Sequence, residues 1–205
     1  MYIRLKKLAD TLIQEFDTIS MERKKILNEL ASFIQQKKDS NEPIQLVYIC
    51  THNSRRSHFG QIAGALAANY FHINQVSTFS GGTEATAFHP NAIQALRTLG
   101  FEISTTQLEQ ANPIYKVSFG EDLYTTCFSK IYKDEVNPKQ HFAAIMTCSD
   151  ADENCPLIPG VSLRIGTTYE DPKKSDGTAL QEQTYQDRFK QILTETLYAF
   201  SLVKS

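Results

Sequence analysis

An apolar run, Ile44 to Ile49, delivers Cys50 into Cys50-Thr51-His52-Asn53-Ser54-Arg55-Arg56-Ser57, after which Phe59, Ile62, Ala63, Leu66 and Tyr70 recur on one face of a helix. A strand that ends in a turn opening a helix leaves several backbone N–H groups unpaired and aimed at one spot, where the helix dipole favours negative charge. An oxyanion is therefore expected against Thr51, His52, Asn53, Ser54, Arg55, Arg56 and Ser57. The same field favours a thiolate, the nucleophilic form of cysteine, so Cys50 reads as a nucleophile. Arg56 offers a planar, permanently charged fork of donors to a tetrahedral anion, which a lysine does not match. Ser57 supplies a hydroxyl to the thiolate, and Asn53 pins the loop through its own backbone. The competing reading is a buried, inert strand-end cysteine followed by an ordinary surface helix. Placement of the three residue types between a strand and a helix favours the anion-binding thiol.

The rest of the chain alternates in the same way. Further strands are expected at Gln75–Phe79, His141–Thr147 and Val161–Ile165, with a helix starting at Pro90 and stopping at Gly100. Thr178 with Gln181 reads as a capping box opening a last helix with the stripe Tyr185, Phe189, Ile192, Leu193, Leu197 and Phe200. This pattern predicts an α/β fold, a four-stranded parallel sheet with helices on both faces and right-handed crossovers. Period-two alternation around Gly120 in residues 113–134 predicts an inserted β-hairpin, which extends the sheet edge or covers the mouth of the site. Residues 1–40 form an N-terminal helical extension, two short helices turning near Asp17 to Ser20, set off by a polar linker from a catalytic domain at 44–205. That helical pair cannot bury its stripe alone. It packs on the catalytic domain or on a second copy of itself as a homodimer, and the sequence does not choose.

The Cys-x5-Arg-Ser pattern of Cys50, Arg56 and Ser57 resembles the loop of the low-molecular-weight protein tyrosine phosphatases and of their relatives, the thioredoxin-coupled arsenate reductases. Ser80-Gly81-Gly82-Thr83-Glu84-Ala85, and His89-Pro90-Asn91-Ala92 running to Leu99-Gly100, are similar to the second strand, turn and helix of that superfamily, and Asp171-Pro172 to its general-acid loop. The resemblance extends from Ile44 to the C-terminus, interrupted by the hairpin insertion. It departs at His52, where the reductases usually have a small residue, at Arg55, where many have another cysteine, and at Gln61, which replaces an acidic residue that helps hold potassium in some of them. No metal ion or other cofactor is therefore expected.

Cys148-Ser149-Asp150-Ala151-Asp152-Glu153-Asn154-Cys155-Pro156 separates the two branches, because the phosphatases need no such cysteine pair and the reductases carry one. Cys148 follows a buried strand, and ligands of a parallel sheet bind beyond its carboxyl edge, so it opens on the same edge as Cys50. If Ser149 to Asn154 is helical, the Cys148 and Cys155 Cα atoms lie about 10 Å apart, beyond the ~7 Å reach of a disulfide, and the pair oxidises only if the helix melts. Zinc ligation fits poorly, since its cysteine pairs are closer and no partner pair is visible. Two unrelated buried thiols remain the competing reading. Cys127, in the insertion, reads as packing.

The resemblance implies an arsenate reductase. Cys50 attacks arsenate held by the loop amides and Arg56, Asp171 protonates the departing oxygen, Cys148 attacks Cys50, and Cys155 takes the disulfide outward to thioredoxin. Taken by itself, Asp-Pro is equally a common turn. Two alternatives stay open: a phosphotyrosine phosphatase using Cys50, Arg56 and Asp171 alone, and a non-enzymatic anion-sensing or adaptor module working through the N-terminal helices. Four cysteines in 205 residues, with neither a signal peptide nor a long apolar span, suggest reduced thiols and a cytoplasmic protein. A net charge of -2 with scattered basic residues argues against nucleic acid or membrane partners. His58, His72, His89 and His141 read as surface or cap residues.

Overall fold

The computed structural model describes residues 1–154 and 157–204. A four-stranded parallel sheet in the order β2-β1-β6-β7 is built from β1 (Ile44–Cys50), β2 (Val76–Gly82), β6 (Phe142–Met146) and β7 (Val161–Gly166). Alternate residues of the central strands fall into two separate apolar clusters. Leu46, Tyr48, Ala143 and Ile145 join the larger one, while Val47, Ile49, Ala144 and Met146 join the smaller. This is the period of two that a strand buried on both faces imposes. The larger cluster is covered by α3 (Arg56–Tyr70), α4 (Pro90–Leu99) and α6 (Gln181–Ser201), and the smaller includes Ala151 of the short α5 (Ser149–Asn154). Helices thus lie on both faces, as expected.

Residues 113–134 carry β4 (Tyr115–Ser118) and β5 (Tyr124–Cys127), an antiparallel hairpin. A third strand, β3 (Glu102–Ser104), pairs with β4 to complete a second sheet. At three residues β3 is too short to register as alternation in a sequence. The hairpin's exit returns to the main sheet: Gly82 N donates to Lys130 O at 2.9 Å and Tyr132 N to Gly82 O at 2.8 Å. The insertion therefore lies along the β2 edge, next to the loop that follows β1.

The N-terminal helices α1 (Ile3–Leu12) and α2 (Met21–Asp39), joined by a 3-10 turn at Ile13–Thr18, bury Leu5, Ala9, Leu12, Leu27, Leu30, Phe33 and Ile34 in the larger cluster together with α6. Their apolar stripe is covered within the same chain. Ser20 caps α2 by accepting from Arg23 N at 3.2 Å.

Four local expectations need correction. Helix α6 begins at Gln181 with Leu180 at its N-cap, so Thr178 and Gln181 do not form the capping box; instead Thr178 Oγ1 accepts from Leu180 N and Gln181 Oε1 from Gly177 N. Strand β6 starts at Phe142, because His141 takes a left-handed φ of 60° and belongs to the preceding turn. Strand β2 continues to Gly82, since its register keeps it beside β1 up to the Cys50–Gly82 pair. His58 is neither a surface nor a cap residue: it is fully buried, packed on Phe88 at 4.2 Å between ring centroids.

Candidate active site

The loop from Cys50 to Arg56 is shaped by what its carbonyls do. Cys50 O accepts from Thr83 N, and Thr51 O from Glu84 N and Thr83 Oγ1. His52 O accepts from Thr86 Oγ1 and Ser129 Oγ, and Ser54 O from His89 N. With those carbonyls turned outward onto the β2–α4 connection and the insertion, the amides face the other way. Among the described residues no backbone carbonyl accepts from the N–H groups of Thr51, His52, Asn53, Ser54, Arg55 or Arg56. A run of free amides ahead of a fifteen-residue helix has the geometry and field to cradle an anion.

Asn53 holds the centre of the cradle from a left-handed φ of 44°. Its Nδ2 donates to Ser57 Oγ at 2.8 Å, and its Oδ1 accepts from Lys130 N at 2.8 Å. The same Ser57 hydroxyl lies 3.1 Å from Cys50 Sγ, within hydrogen-bond reach of the sulfur. The pinning is thus done by the Asn53 side chain, with the insertion as its anchor. Gly82 is the counterpart on β2: a Cβ there would lie 2.2 Å from Glu84 O, 2.6 Å from Thr51 O and 2.7 Å from Asn53 N. Only glycine lets the strand pass this close beneath the loop.

Arg56, buried on α3, donates from Nη1 to Tyr169 O at 2.9 Å and from Nη2 to Asp171 Oδ2 at 2.7 Å, while its Nε meets no acceptor among the described residues. The structure thereby brings Arg56 and Asp171 together, the carboxylate being one-third exposed. Asp171 also accepts from Lys173 N, capping a 3-10 turn at Pro172–Ser175. The Arg55 side chain reaches toward Asp171, with its Nε 4.0 Å from Oδ1. It donates to Tyr185 OH at 2.8 Å and lies 3.4 Å from Asp176 Oδ2. Burial alone would raise the Asp176 carboxyl, but hydrogen bonds from Tyr185 and Asn91 together with Arg55 bring it below its ordinary value. The His52 side chain is exposed beside Glu84, at 3.6 Å.

Cys148 lies just beyond β6, the strand next to β1, at the start of α5; it is fully buried, with its Sγ 3.4 Å from Thr51 Oγ1 and accepting from Ala151 N at 3.4 Å. One side chain of the cradle therefore touches both cysteine loops. Cys155 lies outside the described residues. Cys127 is sealed in the core, and burial pushes its thiol up to about 12. No group of three or more His, Cys, Asp or Glu side chains suited to a metal ion occurs among the described residues. Likewise, none of their helices is long and apolar enough to cross a membrane.

Tyr169, Lys130, Asp176 and Tyr185 serve the site without having been visible in the sequence. Each acts through a contact far along the chain, by backbone or through another side chain, and neither spacing nor residue type announces it.

No family model matches the chain. Arsenate reductase of Bacillus licheniformis is 26% identical over 156 residues, covering 76% of this chain and 94% of the relative. Arsenate reductase 2 of Staphylococcus epidermidis is 29% identical over 129 residues, 62% of this chain and 77% of the relative. Among solved structures, a mutant of YwlE from Bacillus subtilis superposes with a TM-score of 0.51 at 13% identity, covering 79% of this chain and 99% of the other. The chain is thus an enzyme with the low-molecular-weight phosphatase fold, related to the arsenate reductases.

Proposed function

We propose that this chain reduces arsenate to arsenite through a thiol relay. The observation that carries the reading is the joining of two cysteine loops at one sheet edge, with Cys50 beside Ser57 Oγ and Thr51 Oγ1 in contact with Cys148. A hydrolase needs only the first loop; a reductase needs a second thiol close enough to take over the sulfur. The sequence relatives, themselves arsenate reductases, support the same choice.

In this mechanism the free amides and Arg56 Nε bind arsenate, and the Cys50 thiolate attacks arsenic. One oxygen leaves as water, taking a proton from Asp171 in its carboxylic acid form and leaving the carboxylate that pairs with Arg56. Cys148 then attacks Cys50 Sγ, the electron pair of the sulfur–arsenic bond passes to arsenic, and arsenite departs, leaving a Cys50–Cys148 disulfide. Cys155 attacks Cys148, freeing Cys50 and forming a Cys148–Cys155 disulfide for thioredoxin to reduce. The oxyanion site is the whole loop, Thr51 to Ser57, with His52 and Arg55 contributing backbone only. The helical extension at 1–40 and the catalytic domain at 44–205 would divide the chain as the linker suggests, and a thioredoxin-coupled enzyme would work in the reducing cytoplasm.

The test is arsenite production with thioredoxin, thioredoxin reductase and NADPH, measured beside hydrolysis of an aryl phosphate. Multiple-turnover arsenite release is the expected result. Efficient phosphotyrosine hydrolysis with no arsenite under any thiol reductant would support a phosphatase instead, one using Cys50, Arg56 and Asp171 alone.

A further inference from the structure

Residues 168–171 present the Tyr169 carbonyl and the Asp171 carboxylate to Arg56, and they are held from behind by the N-terminal helices. Arg23 sits in the first turn of α2, where the Ser20 cap fixes it. Its Nη2 donates to Thr168 O at 3.0 Å, its guanidinium lies 5.3 Å from the Tyr169 ring centroid, and its Nε lies 3.5 Å from Glu195 Oε2 on α6. The same Glu195 oxygen accepts from Tyr169 OH at 2.8 Å. Arg23 and Glu195 thus grip Thr168 and Tyr169 by carbonyl, ring and hydroxyl together. The next contacts along the chain are those to the anion-binding arginine, Tyr169 O to Arg56 Nη1 at 2.9 Å and Asp171 Oδ2 to Arg56 Nη2 at 2.7 Å.

We infer that Arg23 is a positioning residue for the reaction, fixing the 168–171 segment so that Arg56 and Asp171 stay aligned over the loop. The inference rests on the proposed reading of the site. A long flexible side chain such as Arg56 must give up rotamer freedom to meet a transition state, and a rigid partner that has already ordered it lowers that cost. Tyr169 can be such a partner only if its own segment is fixed: Tyr169 N donates to Thr147 O at 3.1 Å and the ring packs in the larger apolar cluster, while Arg23 and Glu195 hold the Thr168 carbonyl and the Tyr169 ring and hydroxyl. A helical extension outside the loop's own architecture is thereby tied to the chemistry. Arg23 lines an open cleft of about 640 Å³ between the 3-10 turn after α1, α2 and α6, so shortening it leaves no sealed void.

The test uses the full-length chain with Arg23→Gln, Arg23→Lys, Arg23→Gln combined with Glu195→Gln, and Lys25→Gln as a control on the exposed face of α2. Aryl phosphate kcat and KM, the affinity for inorganic arsenate by calorimetry, and hydrogen exchange are measured for each. Arg23→Gln should lower kcat about tenfold while KM and arsenate affinity change less than about threefold, since the loop amides hold the ground-state anion. Exchange should quicken in 168–171 and not in the rest of α2 and α6. Arg23→Lys should recover part of the loss, Lys25→Gln should behave as wild type, and removing the stranded carboxylate in the double variant should restore stability without restoring kcat. A folded Arg23→Gln with kcat within about twofold of wild type would overturn the inference. So would a loss accompanied by faster exchange throughout α2 and α6, which marks a merely structural residue. Wild-type protein inactive on both arsenate and aryl phosphate would end the functional reading instead, and exchange in Arg23→Gln would still decide the role of Arg23: faster exchange confined to 168–171 supports it, and unchanged exchange there overturns it.

Discussion

What sets Cys50 apart from Cys127 is the surroundings of two equally buried sulfurs. The first has a hydroxyl within hydrogen-bond reach and a row of free amides beyond; the second is sealed in the core, where burial outweighs the nearby Lys130 and pushes its thiol up to about 12. Cys50→Ser should therefore reduce both arsenate reduction and aryl phosphate hydrolysis to background, since a serine hydroxyl there stays protonated and is a poor nucleophile. Cys127→Ala should keep kcat within about twofold, and steady-state rates on the two variants make the comparison. His58 gives a prediction about pH. Burial, with Lys130 nearby, pushes its imidazole down to about 3. In the unfolded chain it titrates near 6.5, so between those values the unfolded state takes up the extra proton and stability falls with pH. The contribution is about 2 kcal/mol by pH 5. Urea unfolding at pH 7 and pH 5 should show that loss in wild type and a drop smaller by about this amount in His58→Gln; parallel losses in both would remove His58 as the cause.

Strand β1, its loop and α3 were legible because they are local: an apolar run, a turn and a helical stripe all sit within thirty residues of sequence. The tight fit under the loop was not. Gly82 lies thirty-two positions from Cys50, and only the parallel register of β1 and β2 brings its Cα beneath Thr51 and Asn53. Gly82→Ala should force that backbone apart, lowering kcat/KM at least about tenfold with a cost of about 1–3 kcal/mol in stability, measured by kinetics and denaturant unfolding. An active, stable Gly82→Ala enzyme would show that the loop tolerates the shift. The capping box misled for a related reason. Thr178 and Gln181 have the right spacing, but Leu180 takes the cap position and the two side chains bond to other amides of the same turn. The pinning of Asn53 by Lys130 N was equally hidden, since a backbone donor seventy-seven residues away leaves no trace in residue type.

Across the whole molecule, one apolar cluster runs from Leu5 and Leu27 through Ile62 and Leu96 to Phe200, joining the N-terminal helices to the helices that carry the site. The sequence showed the amphipathic stripe of those helices without its partner, because periodicity says which face is buried and not what buries it. Leu5→Ala should destabilise the entire chain by about 2–5 kcal/mol, in a single transition seen alike by circular dichroism and by loss of anion binding. Separate transitions for the two probes would divide the extension from the rest. The central claim, that two sulfurs at one sheet edge reduce arsenate, is tested most directly by a single turnover of Cys155→Ser, which stops the relay after its first disulfide. Reduced protein is mixed with arsenate without any external thiol, and arsenite is counted beside disulfide mapping by mass. The account predicts one arsenite per protein and a Cys50–Cys148 disulfide. Cys50 and Cys148 both recovered as thiols, with no arsenite formed, would contradict it.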